Sequence, residues 1–240
     1  MSSSFWKPLR HHPLALTGGG LLALLAAAAL LAPVLAPADP LAQDLYRRLQ
    51  PPGGAHLLGT DEFGRDLLSR VLYGARISLR LGLLAISAAL GAGTLLGLLA
   101  GYRGGLADTL IMRLMDLMLA FPSILLAIAI VAVTGPGINN VMIAGSIVLI
   151  PQYARLVRGA VLSIRELNYV EAARALGATD RQILTRAILP NCLAPLIVQT
   201  SLSLATAMLD AAGLSFLGLG AQPPTPEWGA MLGTERNQVF

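Results

Sequence analysis

The segment with the clearest functional pattern is short and polar, and its residue types suit non-covalent docking of a partner. Its candidate docking residues are Glu171, Ala172, Ala173 and Gly177, followed by Leu189 and Pro190 where the polar segment ends. The first six residues, 171–176, favour a helix, and a glycine directly after them can adopt the left-handed conformation that ends one. The small side chains would allow this element to sit deep in a groove of a partner.

A second helix is predicted after this glycine. Thr179 supplies a hydroxyl for the helix start, and Gln182 stands three residues later, where it can cap in return. The second helix can run to Leu189, and Pro190 marks the predicted boundary with the next apolar stretch. The pattern therefore predicts a helix–turn–helix element between two apolar segments.

An ATPase site of the common kind is excluded by one residue count. Lys7 is the only lysine, and Pro8 follows it. A P-loop needs a lysine followed by Ser or Thr after a glycine-rich turn, because these groups hold the phosphates and the magnesium ion. The chain is therefore not expected to be an enzyme or to hold a cofactor, and ATP, if it is used, must bind to partner subunits.

Metal chemistry is also unexpected. Cys192 is the only cysteine, so neither an intrachain disulfide nor a cysteine metal cluster can form. The three histidines do not form a helical ligand pair in an apolar stretch; they are His11, His12 and His56.

The composition is that of a multi-span membrane protein. The chain has 240 residues, of which 55% are hydrophobic and 12% charged, with a mean hydropathy of +0.68. Soluble domains carry roughly 25% charged residues. The net charge is +4, but the arginines are dispersed, so binding of nucleic acid is not predicted.

The apolar segments divide the chain into predicted regions. These are a cytoplasmic head (1–13), a first span (14–36), an extracytoplasmic segment with an amphipathic helix (37–76), a transmembrane core (77–220) with a cytoplasmic loop (156–190), and an extracytoplasmic tail (221–240). The first apolar run is longer than the roughly 7–15 residues of a cleavable signal, so we expect it to be retained. About five spans are predicted in total.

The predicted core contains several local features. Its spans are 77–101, 110–134, 138–153 and 191–220. Small residues recur at every fourth position of the second span, at Ala85, Ala89, Gly93, Gly97 and Gly101. This spacing allows close helix packing, either within the subunit or against a partner subunit. In the third span, Arg113 and Asp116 are expected to form a local ion pair, and Pro122 is expected to kink the helix.

The residues described above resemble those of a known family. The 171–177 segment, together with the Leu189-Pro190 pair that follows it, is similar to the cytoplasmic coupling loop of permease subunits from ATP-driven bacterial importers. The run His-Leu-Leu-Gly-Thr-Asp-Glu-Phe-Gly-Arg-Asp over 56–66 resembles a signature of the C-type permeases of dipeptide, oligopeptide and nickel importers. The late runs 214–220, 223–224 and 227–229 are similar to another signature of that group.

The resemblance implies an all-α polytopic permease in the inner membrane of a bacterium, with its amino terminus in the cytoplasm. It implies a second permease subunit, two ATP-binding subunits and an extracytoplasmic solute-binding protein as partners, and a di- or oligopeptide, nickel or another small solute as substrate. It also implies that 171–177 docks on the ATPase and that Leu189 and Pro190 fix its exit. Permeases of this family generally have a sixth span, so the sequence predicts a truncation, a partial chain or a five-span variant.

Two alternative functions remain open for the same sequence. A secondary transporter driven by an ion gradient would need a carboxylate inside the membrane, and Asp210 is the best candidate. A structural scaffold would need no transport residues.

The arginines within 47–80 oppose the predicted orientation, since positive charge normally accumulates on the cytoplasmic side.

Overall fold

The computed structural model describes residues 13–235, and its regular elements in that range are helices. They are α1 (Pro13–Leu30), α2 (Ala32–Leu35), α3 (Leu67–Arg103), α4 (Gly105–Leu119), α5 (Ser123–Thr134), α6 (Ile138–Ile164), α7 (Asn168–Ala175), α8 (Asp180–Gln182), α9 (Leu189–Phe216) and α10 (Trp228–Glu235). A 3-10 turn covers Leu45–Arg47, and a π-helical turn covers Ile183–Ile188. The predicted all-α fold is confirmed.

Four helical runs are long and apolar enough to cross a membrane. They are α1, α3, α6 and the continuous run Asp180–Phe216, and α4 with α5 makes a fifth if that bent pair is one span. The prediction of about five spans is therefore confirmed. The kink expected at Pro122 is also present, but it is a break of 95° rather than a bend. Pro122 itself is extended, with ψ 134°, which interrupts the helix before Ser123.

Two helix boundaries differ from the predicted ones. Helix α3 begins at Leu67, so the expected amphipathic helix and the second span form one continuous element. Helix α6 passes through Pro151 and continues beyond Tyr153 to Ile164. It does so because Val157, Val161 and Ile164 continue its apolar, buried face, which tertiary packing stabilises.

The chain forms two compact units, one of residues 81–222 and the other of residues 13–80 with 223–235 in the described range. In the first unit, α6 is central. Its buried residues Tyr153, Val157 and Val161 pack in one cluster with residues of α3 and α9, and Val141 and Val148 pack in another with residues of α5.

The second unit is organised around Asp61. Its Oδ1 accepts hydrogen bonds from the backbone N–H groups of Phe63 and Arg65, both at 2.9 Å. Its Oδ2 accepts from Arg65 Nε at 2.6 Å and lies 3.4 Å from Arg70 Nε. Within the 56–66 signature, the Asp61 carboxylate therefore binds both the backbone of the turn and the Arg65 side chain.

The same unit joins segments that are distant in sequence. Arg70 Nη1 donates to the carbonyls of Pro40 at 3.2 Å and Pro224 at 3.3 Å. Trp228 Nε1 donates to the Val71 carbonyl at 3.0 Å, and the buried Glu227 accepts from Ser78 Oγ at 3.1 Å. The early signature and the late runs 223–224 and 227–229 are thus parts of one structural unit, whereas the run 214–220 belongs to the other.

A second carboxylate of this unit, Asp66, is held by neighbouring donors. Burial raises the pKa of Asp66, but hydrogen bonds from the Ser69 hydroxyl and backbone and from His56 outweigh that effect, and the pKa lies below its ordinary value. Asp66 therefore remains ionised and fixes the start of α3 through the Ser69 N–H at 2.8 Å.

Loss of the Asp61 charge should destabilise the protein strongly. Asp61→Asn leaves Arg65 and Arg70, whose side chains are 4% and 6% exposed, without their counter-charge. Breaking a buried pair in this way typically costs roughly 3–5 kcal/mol. We expect a clear fall in the thermal unfolding midpoint of the detergent-purified chain.

Glu166→Gln is the matched control, because Glu166 pairs with Arg165 at 2.9 Å but its side chain is 70% exposed. Exposed pairs contribute about 0–1 kcal/mol. Equal midpoint shifts for the two variants would contradict the role given to Asp61.

Candidate functional site

The 168–182 loop turns at Gly177. Helix α7 ends at Ala175, and Gly177 has φ +87°, so the left-handed stop predicted from the sequence is confirmed. The N–H of Ala178 donates to the Ala173 carbonyl and the N–H of Gly177 donates to the Arg174 carbonyl, both at 3.0 Å. This pair of bonds satisfies carbonyls that a helix end would otherwise leave open.

The predicted capping box after the turn is also confirmed. The Thr179 side chain accepts from the Gln182 N–H at 3.4 Å, and the Gln182 side chain accepts from the Thr179 N–H at 2.9 Å. Together with the Gly177 turn, these bonds fix both halves of the loop in one conformation.

The predicted end of the second helix at Leu189-Pro190 is wrong. The helical run Asp180–Phe216 passes through Pro190, which occupies the second position of α9. The π-helical turn before it makes this possible. The Leu189 N–H donates to the Leu184 carbonyl, five residues back, and the wider turn accommodates a proline that has no N–H to donate.

The loop has one buried and one exposed face. Val170, Ile183 and Ile188 are fully buried in the cluster that also contains Val161 and Ile164 of α6. The exposed face carries Glu171, Ala172, Ala175, Leu176 and Gly177, and Leu176 is 89% exposed. Ala173 and Leu189 are partly buried, and Pro190 is exposed. The predicted docking residues 171, 172 and 177 therefore lie together on a face that is held from behind by the core.

Polar contacts tie the loop to α3 and α9, and a further contact ties the end of α6 to α3. Tyr102 Oη, near the end of α3, donates to Asp180 Oδ1 at 2.5 Å. Arg165, directly after α6, donates to the Gly101 carbonyl at 2.9 Å. Asn191 Nδ2, in the first turn of α9, donates to Tyr169 Oη at 3.1 Å. These contacts join residues far apart in sequence, and no local pattern in the chain predicts them.

Two ion pairs connect α4 to α6. Arg158 binds Asp108 through Nε at 2.5 Å and Nη2 at 2.6 Å, and Arg155 Nη2 lies 2.5 Å from Asp116 Oδ1. Asp116 was expected to pair with Arg113 on its own helix, and the structure instead pairs it with α6. The helix that leads into the loop is thus also bound to the helix before the 95° break.

The glycine stripe of α3 lies against α6. A Cβ atom on Gly93 would stand 2.5 Å from Tyr153 Cβ, one on Gly97 would stand 2.5 Å from the Ala154 carbonyl oxygen, and one on Gly101 would stand 2.8 Å from Val161 Cβ. Of the two alternatives that the sequence left open, the structure places these three glycines in contact within the subunit. The backbones of α3 and α6 approach closely because no side chain separates them.

The described residues offer no evident metal site. Cys192 is buried and unpaired, and between residues 13 and 235 no group of three or more His, Cys, Asp or Glu side chains is placed to hold a metal ion.

Two family models match the chain. Residues 93–235 match that of the binding-protein-dependent transport system inner membrane component, and residues 1–52 match that of the N-terminal TM domain of oligopeptide transport permease C. These matches confirm the resemblance that was inferred from the loop and the two signatures.

The chain is similar to named transport permeases over nearly all of its length. It is 52% identical to the di/tripeptide transport system permease of Pseudomonas aeruginosa, covering 98% of this chain and 80% of that protein. It is 49% identical to the dipeptide transport system permease of Alkalihalophilus pseudofirmus, covering 98% and 77%. It is 48% identical to the glutathione transport system permease of Pectobacterium atrosepticum, covering 98% and 78%.

A solved structure shares the fold. A chain of the inward-facing methionine ABC transporter MetNI matches with a TM-score of 0.58 at 20% identity, covering 72% of this chain and 88% of that one. At this identity the match concerns the helical architecture alone.

The close contact at Gly97 should not tolerate a methyl group. Gly97→Ala places a Cβ within 2.5 Å of a backbone oxygen of α6, so α3 must move away. Overpacking of this kind costs typically 1–3 kcal/mol, more than the roughly 1 kcal/mol that alanine gains over glycine in a helix. We expect a lower thermal unfolding midpoint for the detergent-purified variant.

Gly91→Ala on the same helix is the control, since a Cβ there meets nothing within 4 Å. We expect its midpoint to be unchanged or slightly raised. If both variants behaved alike, the close packing of α3 on α6 would be contradicted.

Proposed function

This chain belongs to the family of binding-protein-dependent transport system inner membrane components, and we propose that it carries small peptides and couples to a separate ATPase through its 168–182 loop. As a member of that family it is a multi-pass permease subunit of an ABC importer in the bacterial inner membrane. Membership favours an ATP-driven permease over the alternative of a secondary transporter driven by an ion gradient.

The proposed substrate class follows from the relatives. Those described above are named for transport of di- and tripeptides, dipeptides and glutathione, all of which contain amide bonds and charged termini. Their identity to this chain, near 50%, covers the transmembrane helices as well as the loop. We therefore favour a small peptide over nickel or another small solute.

The observation that carries the coupling role is the two-faced loop. Its exposed face carries Glu171, Leu176 and small side chains next to Gly177, while Val170 and, directly after the loop, Ile183 and Ile188 anchor it to the core. A rigid, exposed face of this kind can enter a groove on a partner and pass force to the helices behind it. The only lysine is Lys7, outside any P-loop pattern, so ATP would bind to the partner.

Motion would reach the membrane through the contacts of the loop with three helices. Closure of the ATPase subunits on ATP would displace the loop. The bonds at Tyr102 and Asn191 would pull α3 and α9 with it, and the packing of Val170 in one cluster with Val161 would pull α6. These helices would tilt between inward-facing and outward-facing states as packed bodies.

The orientation follows from the position of the loop. If α1, α3, the bent pair and α6 are four spans, the amino terminus and the 168–182 loop share one side of the membrane. A loop that docks on an ATPase must face the cytoplasm, so the amino terminus would lie there too. The other proposed partners are a second permease subunit, a second ATP-binding subunit, an extracytoplasmic solute-binding protein and the surrounding lipid.

Disturbing the exposed face should weaken the association with the ATPase. We would co-express the chain with the ATP-binding subunits of its transporter, purify the complex in detergent, and compare wild type with a Glu171→Ala/Gly177→Leu double variant. We expect at least a tenfold loss of co-purified ATPase. Replacing an energetically important interface residue typically costs more than about 1.4 kcal/mol of binding free energy, which is a tenfold change in Kd.

Leucine at position 177 also strains a left-handed backbone, so a second variant separates docking from folding. Ala172→Trp adds bulk on the exposed face of α7 without changing the turn, and it should give the same loss. Leu106→Trp, at a residue that is 81% exposed near the start of α4, is the control and should bind normally. Normal ATPase recovery with Ala172→Trp would refute the proposed docking face.

A further inference from the structure

Polar side chains form one stripe along α9. They are Gln199, Ser203, Thr206 and Asp210, with spacings of four, three and four residues. At 1.5 Å per residue the stripe is about 16 Å long and lies on a single side of the helix. The exposed apolar residues next to them, Val198, Leu202 and Leu209, lie on a different side.

The stripe continues onto α6. Gln199 Nε2 donates to Gln152 Oε1 at 3.2 Å and to Ser203 Oγ at 3.1 Å. One turn after Gln152 on the same face stands Arg155, whose side chain is 52% exposed although it is paired with Asp116. Together these side chains form what we call the polar lane: Gln152, Arg155, Gln199, Thr206 and Asp210.

Asp210, at one end of the polar lane, has no partner among the described residues. Its neighbours around a small cavity, such as Leu81, Val141 and Leu214, are apolar, and no hydrogen bond or ion pair joins it to another described residue. It is partly exposed rather than sealed in the core. An unpaired carboxylate in a spanning helix is costly, so such residues face water or a charged partner rather than lipid.

We propose that the polar lane is the part of the translocation pathway that this subunit contributes, and that Asp210 receives the protonated amino group of a passing peptide. The inference rests on the proposed function for the identity of the substrate. The carboxylate offers a counter-charge to an ammonium group, and the amides of Gln199 and Gln152 offer a donor and an acceptor to peptide bonds. Lipid cannot satisfy these groups, which is why they share one face.

The lane can be tested without knowing the substrate. Cysteine would replace Gln152, Thr206 or Asp210 on the lane and, as matched neighbours, Val198 or Leu209, which are 62% and 72% exposed on the other side. Cys192 is the only native cysteine and is buried. Labelling of the unmodified chain therefore measures the background. The readout is the rate at which a small, water-soluble methanethiosulfonate reagent labels this chain in the assembled transporter in proteoliposomes.

We expect the lane positions to react on the order of tenfold faster than the matched neighbours. The thiolate attacks the reagent and displaces methanesulfinate, and a cysteine ionises to the thiolate readily only where water reaches it. Equal rates at both sets, or no reaction at the lane positions, would overturn the pathway assignment. The second outcome would indicate that the lane is sealed against the second permease. This labelling pattern does not depend on whether the substrate is a peptide.

The role of Asp210 is tested by transport of radiolabelled dialanine. Asp210→Asn should lower the initial uptake rate at subsaturating peptide by about tenfold, the effect of losing one charge-assisted hydrogen bond. Asp210→Glu should restore most of it. ATP hydrolysis stimulated by the solute-binding protein should be similar in both variants, which separates the loss of a peptide contact from misfolding.

Equal uptake by Asp210→Asn and wild type would overturn the ammonium contact, even if the labelling pattern held. Failure of the wild-type complex to take up dialanine would instead count against the proposed substrate class. The two experiments therefore fail independently.

Discussion

The close packing of α6 against its neighbours is the interaction on which the rest of the structure depends. The glycine face of α3 allows the two backbones to approach at Gly93, Gly97 and Gly101. Helix α6 extends to Ile164 and ends inside the cluster that buries the inner face of the loop. A loop without packing contacts to the helices behind it would deform when a partner displaced it. A loop whose hydrophobic side is part of the core would move with the helices, as the proposed coupling to an ATPase requires.

Much of the loop was predictable because its signals are local. A glycine that ends a helix and a Thr/Gln capping box act within a few residues, and both are found where the sequence places them. The end of α6 and the passage of α9 through Pro190 were not predicted, since both depend on tertiary packing. At Pro190 a π-helical turn before the proline removes the conflict between its missing N–H and a continuing helix. The hydrogen bond between Tyr102 and Asp180 joins residues 78 positions apart, so no local sequence pattern predicts it.

Three of the six arginines within 47–80 that oppose the proposed orientation take part in ion pairs. Arg65 and Arg70 are buried and share Asp61, and Arg47 lies 3.4 Å from Asp44. The tendency of positive charge to remain in the cytoplasm concerns free charges near the ends of spans. Arginines that serve as internal links, holding the segments around Pro40 and Pro224 together, do not oppose it in the same way. A raw count of basic residues therefore overstates the conflict.

The central claim is that the exposed face of the loop enters a groove on an ATPase. The most direct measurement is site-specific photocrosslinking from benzoylphenylalanine at Leu176, which is 89% exposed, in the assembled transporter. Leu209, which is 72% exposed within α9, is the control position. The account predicts a crosslink from position 176 to the ATP-binding subunit and none from position 209. If the ATPase is present in the complex but position 176 does not crosslink to it, the loop is not the docking element.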